Sequence, residues 1–281
     1  MSVVDILIPT IDRPQELAVT LAGIASQDLR DIRVVVADQS ARPTHSTPAI
    51  ATLRRIIEAR GGAVQWHCRE QLHGIAEQRD FLLGYATADS ILLLDDDVFM
   101  EPWVLSTLHR ILSEENAGFV GAFPAGLSFI DDERPNEQQV EFWHGRVLPE
   151  AVEPDSREWE RARVHAAANV FHAASGLQLD EVRRYKVAWV GACALYDRRK
   201  LEAVGGFSFW SKLPPDHAGE EVLVQNLLLR RWGGCAILPS GTYHAEAPTT
   251  IGEAGRKETA NALQLLPEML KRYVPAGESG G

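Results

Sequence analysis

Three consecutive aspartates, Asp95-Asp96-Asp97, follow the apolar run Ile91-Leu92-Leu93-Leu94. Like charges at adjacent positions repel, and the end of a strand concentrates them. Such a cluster is either a solvated turn leading into the next helix or a seat for a hard divalent cation. Mg²⁺ takes one or two protein carboxylates together with substrate phosphates. The two-residue spacing lets Asp95 and Asp97 face one side of an extended segment, with Asp96 turned away to a structural role or a sugar hydroxyl. A second acidic pair, Glu220-Glu221, opens an amphipathic pattern. The helix dipole alone favours acidic residues there, and a carboxylate can also take a proton from an attacking hydroxyl. Thr10 and Asp38 each end an apolar run, Arg79 lies in a helical pattern, and His244 follows the turn Pro239-Ser240-Gly241-Thr242-Tyr243. Trp210 stands shortly before the glutamates, and its ring could stack on a sugar. Each has an ordinary reading too: a turn cap for Thr10 and Asp38, a solvated charge for Arg79 and His244, core packing for Trp210.

Bringing these residues together requires strand ends placed side by side. Residues 3–8 read as a strand ending at Pro9-Thr10. Asp12 is placed to cap the next helix, and Pro14 suits its first turn. Leu17, Leu21 and Ile24 then form one apolar face. Residues 33–37, 64–68 and 91–94 read as further strands. They alternate with helical patterns through Leu53, Ile56 and Ile57, over 74–86, and over 103–112. Continuous apolar strands separated by amphipathic helices predict an α/β fold with a central, mostly parallel sheet covered on both faces. Ligands of such sheets bind at the carboxyl ends of strands near a switch in strand order. Thr10, Asp38 and Asp95 to Asp97 share that predicted edge. The second half is less regular. Strands are expected over 119–123, 187–196 (with Gly191 inside) and 235–238. Helices are expected within 155–174, over 197–204, over 220–232 and from about 256 to 273, with a polar excursion over 127–154 and a disordered tail beyond Pro275.

The chain has 281 residues, with 28 Lys+Arg against 39 Asp+Glu, a formal net charge of −11. That balance disfavours a nucleic-acid polymer or an anionic membrane as partner. A small anionic ligand remains compatible when a cation bridges it to the protein. Cys68, Cys193 and Cys235 show no C-x-x-C spacing, which predicts reduced thiols in a cytoplasmic protein rather than a zinc cluster or disulfides. The first fourteen residues lack the basic region of a signal peptide, and no run approaches the ~18 apolar residues of a transmembrane segment.

Several segments occur in a telling order: Val4-Asp5-Ile6-Leu7-Ile8-Pro9-Thr10, Val34-Val35-Val36-Ala37-Asp38-Gln39-Ser40, Gly74-Ile75-Ala76-Glu77-Gln78-Arg79-Asp80, Leu92-Leu93-Leu94-Asp95-Asp96-Asp97-Val98, Gly191-Ala192-Cys193-Ala194-Leu195-Tyr196 with Val204-Gly205-Gly206-Phe207, and Gly219-Glu220-Glu221. Over about residues 3–245 this resembles the family 2 glycosyltransferases of the GT-A fold, a Rossmann-like nucleotide-diphospho-sugar transferase architecture. The resemblance implies a GT-A domain over 1–245, split into a nucleotide-sugar half (about 1–118) and an acceptor half (119–245), with a C-terminal helical extension and tail over 246–281. It implies that Pro9, Thr10, Asp12 and Asp38 bind the nucleoside, with Asp38 accepting from a base, uracil being favoured, and that Arg79 contacts base or phosphate. Asp95 and Asp97, with His244, would hold Mn²⁺ or Mg²⁺ on the diphosphate, and Asp96 would complete the donor site. Glu221, or its neighbour Glu220, would be the general base, and Gly191, Ala192 and Trp210 would face the acceptor. Two positions depart from the family pattern: Glu221 stands where Asp is usual, and Asp80 where Asn is usual.

The chemistry stands on its own terms beside this. Transfer from a nucleotide-sugar needs a leaving diphosphate stabilised as charge develops and a carboxylate to deprotonate the acceptor hydroxyl. The expectation is a metal-dependent inverting glycosyltransferase using a nucleotide-diphospho-sugar, a UDP-sugar being favoured, and an unidentified acceptor hydroxyl. Its rivals are a retaining transferase, a nucleotidyltransferase, and a non-catalytic sugar-nucleotide-binding protein. The segment from Thr10 to Pro14 has no glycine for a triphosphate loop, which counts against the nucleotidyltransferase.

Overall fold

The first strand shows why the sheet has two covered faces. In β1 (Val4–Thr10) Ile6 and Ile8 enter one apolar core and Leu7 the other. The period of two along a strand does this wherever both faces are dry. The computed structural model describes residues 2–69, 74–177, 181–248 and 260–274.

After β1 come α1 (Pro14–Ser26), β2 (Ile32–Asp38), α2 (Pro48–Ala59), β3 (Ala63–Cys68), α3 (Ile75–Leu83), β4 (Ser90–Leu94), β5 (Val98–Met100), α4 (Val104–Glu115) and β6 (Phe119–Gly121). The later elements are α5 (Asn169–Gly176), β7 (Arg183–Tyr185), β8 (Cys193–Asp197), α6 (Arg198–Ala203), α7 (Glu220–Trp232), β9 (Gly234–Leu238), β10 (Thr242–His244) and α8 (Leu266–Tyr273). Eight strands form one sheet in the order β3-β2-β1-β4-β8-β6-β9-β7. β3, β2, β1 and β4 are mutually parallel, β6 and β9 pair in parallel, and β8 and β7 run against their neighbours. Buried residues of α1, α2 and α4 pack on one face, and those of α3, α5, α7 and α8 on the other. The chain moves outward from β1 to β3, then returns to add β4 on the other side of β1. That reversal opens a crevice beside the carboxyl ends of β1 and β4. Because β8 is antiparallel, with Cys193 opposite Leu94, its beginning reaches the same edge. No helix among the described residues is long and apolar enough to cross a membrane. All three cysteines are free thiols.

Several local expectations are corrected. Asp12 does not cap α1: it sits at φ 51°, its carboxylate accepts from Ala41 N, and α1 begins behind Arg13 with no side-chain cap. The stretch expected as a strand over 187–196 is strand only from Cys193. Upstream, Val190 N–H and C=O are both taken by the side-chain amide of Gln225 in α7, so they are withdrawn from any ladder. The helix expected within 155–174 is two pieces, a 3₁₀ stretch over Arg157–His165 and α5, broken where Ala167 adopts φ 50°. At the C-terminus Ala262–Leu265 is 3₁₀ and the α-helix starts at Leu266. The expected helical start at 256–259 and the tail from Pro275 lie outside the described residues. The short antiparallel pair β5–β10 carried no sequence signal, each strand being three residues long.

Asp5 anchors the first strand from within. It is fully buried, and its carboxylate accepts from Arg33, Thr87 N and Ala88 N. Burial alone would raise its pKa, but Arg33 and the backbone amides outweigh that and hold it below the ordinary value. Asp5→Asn is expected to cost about 3 kcal/mol, since Arg33 loses its counter-charge in a partly buried site. A carboxylate with a depressed folded pKa adds stability above its unfolded pKa of about 3.9. That stability is lost as pH falls through the folded value. Acid titration of the melting temperature should therefore be steeper for the parent chain than for Asp5→Asn.

Candidate active site

The crevice is a cavity of about 760 Å³ at the carboxyl edge of the sheet. Its wall includes Pro9, Thr10, Arg79, Asp95, Asp96, Asp97, Gly191, Ala192, Glu220, Glu221 and His244. Residues from six separate segments thus meet around one space, most of them at positions read from the sequence.

The three aspartates occupy the turn between β4 and β5 and are not equivalent. The Asp95 side chain is 36% exposed and Asp97 is buried, and both line the cavity. Asp96 is buried against β1, where it accepts from Thr10 Oγ1 at 2.6 Å. Burial pushes the Asp96 carboxyl up to about 6, against the pull of Thr10 and Arg13. Asp97 is likewise raised by burial, although His244 opposes the shift. His244 Nε2 lies 3.5 Å from Asp97 Oδ1, and its Nδ1 accepts from Glu246 N at 2.8 Å. A neutral ring with Nδ1 accepting carries its proton on Nε2. As placed, His244 is therefore a partner of Asp97. Metal ligation through Nε2 would require that proton to leave and the Glu246 bond to change.

Across the cavity, α7 presents Glu220 and Glu221 from its first turn. Gly219 precedes them at φ 82°, and a Cβ there would lie 2.4 Å from Asn261 Oδ1. Only glycine allows that approach with that backbone. Arg79, buried in α3, joins the two sides. Its Nη2 donates to Asp95 Oδ1 at 3.0 Å, and its Nη1 serves Glu220 Oε1 and lies 3.1 Å from Glu221 Oε2. Burial by itself would lower the Arg79 pKa, but Glu221, Glu220 and Asp95 more than offset it and keep the guanidinium charged. Glu221 Oε2 also accepts a long bond from Ala192 N, while the buried Oε1 has no partner. Burial pushes Glu221 up to about 7, with Arg79 opposing and Asp95 and Glu220 adding to the rise.

Three of the residues expected at the site do not reach the cavity wall. Asp38 stands at the end of β2, but Oδ1 accepts from Ser40 N and Oδ2 from Thr44 N, Thr44 Oγ1 and Trp66 Nε1. Its carboxylate organises the loop after β2. Asp12 pins the neighbouring loop at Ala41 and is exposed. Trp210 is 38% exposed and its side chain bonds Asp80. Conversely, Arg13, Gln78, Phe123 and His217 line the cavity. His217 joins this wall to α3. Its Nε2 accepts from Ala76 N at the start of α3, and its Nδ1 bonds Pro214 O at 2.7 Å. The close approach requires Gly74, where a Cβ would lie 2.4 Å from Pro215 O and 2.6 Å from His217 Cε1. Gly74→Ala should push the 214–217 wall off α3 at a cost of about 1–3 kcal/mol. A lowered melting temperature together with weaker ligand binding is the expected result.

Among the described residues, no group of three His, Cys, Asp or Glu side chains is arranged to hold a metal ion. Two carboxylates on the wall, Asp95 and Asp97, match the donor set of a Mg²⁺-type ion that draws its remaining ligands from substrate phosphates and water. On this donor chemistry the residues fit such an ion.

The model of glycosyl transferase family 2 matches residues 5–173, more than half of the chain. The chain belongs to glycosyl transferase family 2. No curated protein sequence matches it. Solved structures of similar fold include S. aureus TarS 1-349 in complex with UDP-GlcNAc, at TM-score 0.54 and 13% identity over 89% of this chain and 60% of that one. The mannosyltransferase PcManGT from Pyrobaculum calidifontis, in complex with GDP-Man and Mn²⁺, gives TM-score 0.50 and 18% identity over 89% and 58%. S. aureus TarS itself is matched over 37% of its length, with TM-score 0.53, 13% identity and 88% of this chain covered. The chain thus spans between about a third and three fifths of these proteins. At such identities the likeness is one of fold, and it agrees with the mostly parallel GT-A sheet.

Proposed function

We propose that this family 2 chain is an inverting glycosyltransferase that moves a sugar from a nucleotide-diphospho-sugar, with a UDP-sugar favoured, to an acceptor hydroxyl with the help of Mn²⁺ or Mg²⁺. One observation carries the reading: two carboxylate sets line one cavity, and Glu221 of the second set has a buried oxygen, Oε1, without a partner. An orphaned buried oxygen is costly, and an acceptor hydroxyl is the kind of donor that would relieve it. The ligands named for the similar structures, UDP-GlcNAc and GDP-Man with Mn²⁺, support the donor class.

Asp95 and Asp97 would hold the metal ion, which when bound supplies charge stabilisation to the departing diphosphate. Thr10 braces Asp96 and so keeps the acidic turn against the end of β1. Glu221 would take the acceptor proton on Oε1, while Arg79 and Ala192 N hold the other oxygen. Glu220 is committed to Arg79 through Oε1 and is the weaker candidate for the base. Gly191 and Ala192 supply backbone close to Glu221, which suits an acceptor subsite.

The test is release of nucleoside diphosphate from UDP- and GDP-sugars with Mn²⁺, with and without EDTA, followed by the anomer of the transferred sugar. Release that stops with EDTA, together with an inverted product, is expected. A retained anomer would reassign Glu221, and donor binding without any release would make the chain a sugar-nucleotide-binding protein.

A further inference from the structure

Arg13 meets the second and third aspartates of the acidic turn, whereas Arg79 meets the first. Arg13 Nη1 lies 3.2 Å from Asp96 Oδ1 and 3.2 Å from Asp97 Oδ2, so one nitrogen bridges two adjacent carboxylates. Its Nη2 donates to Pro248 O, in the stretch that brings Ala247 into the cavity wall. The Arg13 side chain is 16% exposed and that of Asp97 6%, so bulk water screens the pair weakly. Asp96 is then served on both oxygens, by Thr10 on Oδ2 and Arg13 on Oδ1. Asp97 has Arg13 at Oδ2 and the His244 ring at Oδ1. Every oxygen that Asp97 could offer a divalent ion thus already faces a positive or proton-bearing group of the protein.

We propose that Arg13 is an exchangeable internal counter-ion. It bridges Asp96 and Asp97 and gives up Asp97 when a divalent cation binds. This rests on the reading of Asp97 as a metal ligand. Three neighbouring carboxylates would otherwise repel one another, and the guanidinium supplies the missing charge. A divalent ion at Asp97 would meet that same guanidinium as a like charge within the turn. Arg13 keeps Asp96 Oδ1 and Pro248 O as partners after the exchange, so it need only swing and not leave. It is a positioning residue that acts through the carboxylates.

Mn²⁺ alone, titrated into the full chain and followed by the electron paramagnetic resonance signal of the free ion, tests this without any turnover. Arg13→Gln, shown to be folded by circular dichroism, is expected to bind Mn²⁺ roughly tenfold more tightly than the parent chain. A mere brace predicts the opposite, because losing it would let the carboxylates spread. Equal or weaker affinity in folded Arg13→Gln overturns the proposal, as does the absence of Mn²⁺ binding by both chains. Should Arg13→Gln not fold, the parent chain decides. The ¹⁵N–¹H guanidinium signals of Arg13, assigned with Arg13→Lys, must move when Mg²⁺ is added, and unmoved signals overturn the exchange. Nucleoside diphosphate release with unchanged Mn²⁺ affinity in Arg13→Gln defeats only the exchange. No release from any donor defeats the transferase reading instead.

Discussion

Replacing Glu221 by glutamine is expected to lower sugar transfer by about two to four orders of magnitude, the usual contribution of a positioned general base. Gln keeps the volume and can still meet Arg79 only through its carbonyl oxygen, so the fold and donor binding should persist. The loss should therefore appear in kcat at saturating donor. Glu220→Gln should cost much less, because Glu220 serves Arg79 and Glu221 holds the free oxygen. A reversed order of severity would move the base to Glu220. The pH profile gives an independent check. Burial lifts Glu221 to about 7. A base works only when deprotonated, so the rate should climb as pH rises through about 7 and fall away below it. In Glu221→Gln that limb should vanish from the residual rate. A parent profile flat between pH 5 and 8 would remove Glu221 from the proton transfer.

Arg79→Met is expected to be the most destabilising single change at the site, by about 3–5 kcal/mol. Methionine keeps the length and apolar stem of the side chain but leaves Glu220 and Glu221, both buried, without a counter-charge. Asp95, more exposed, can turn to water and contributes less to the penalty. Arg79→Lys should recover part of the loss. An ammonium keeps the charge, but it cannot span Asp95 and the two glutamates as a planar fork does. Denaturant midpoints of the three chains measure this directly. An Arg79→Met chain that unfolds together with the parent would mean that the glutamates are protonated or hydrated in the folded state. Raising the pH should widen the gap, since it ionises the carboxylates that Arg79 leaves behind.

These expectations draw on features of unequal visibility. The sheet was readable because both its faces are dry. Runs such as Ile6-Leu7-Ile8 and Leu92-Leu93-Leu94 serve two cores at once and leave an unbroken apolar signature. The aspartate turn was readable because it must follow β4, and a strand end in such a sheet borders the crevice. The short pair β5–β10, the 3₁₀ stretch over Arg157–His165 and the coil held by Gln225 were not readable. Their backbone bonds go to distant partners or close within three residues, and neither leaves a periodicity. Asp38 shows a different limit. It ends β2 where expected, yet donors from Ser40, Thr44 and Trp66 take its carboxylate. Local turn chemistry competed for that side chain, and no spacing in the sequence announces which use prevails.

The alternation of strands and helices, the two acidic clusters and the edge of the sheet on which the first of them lies are legible in the chain order alone. Hydrophobic period and chain order are local properties, and they survive without knowledge of what meets what. How the charges are shared is set by long-range packing. Arg79 and Glu220 stand 141 residues apart in sequence and Arg13 and Asp97 stand 84 apart. Their pairing depends on β4 returning beside β1 and on α7 aiming its first turn at the same crevice. Whether an arginine faces solvent, a ligand or a carboxylate is fixed by that long-range packing, because an ion pair has no signature until its two halves are brought together.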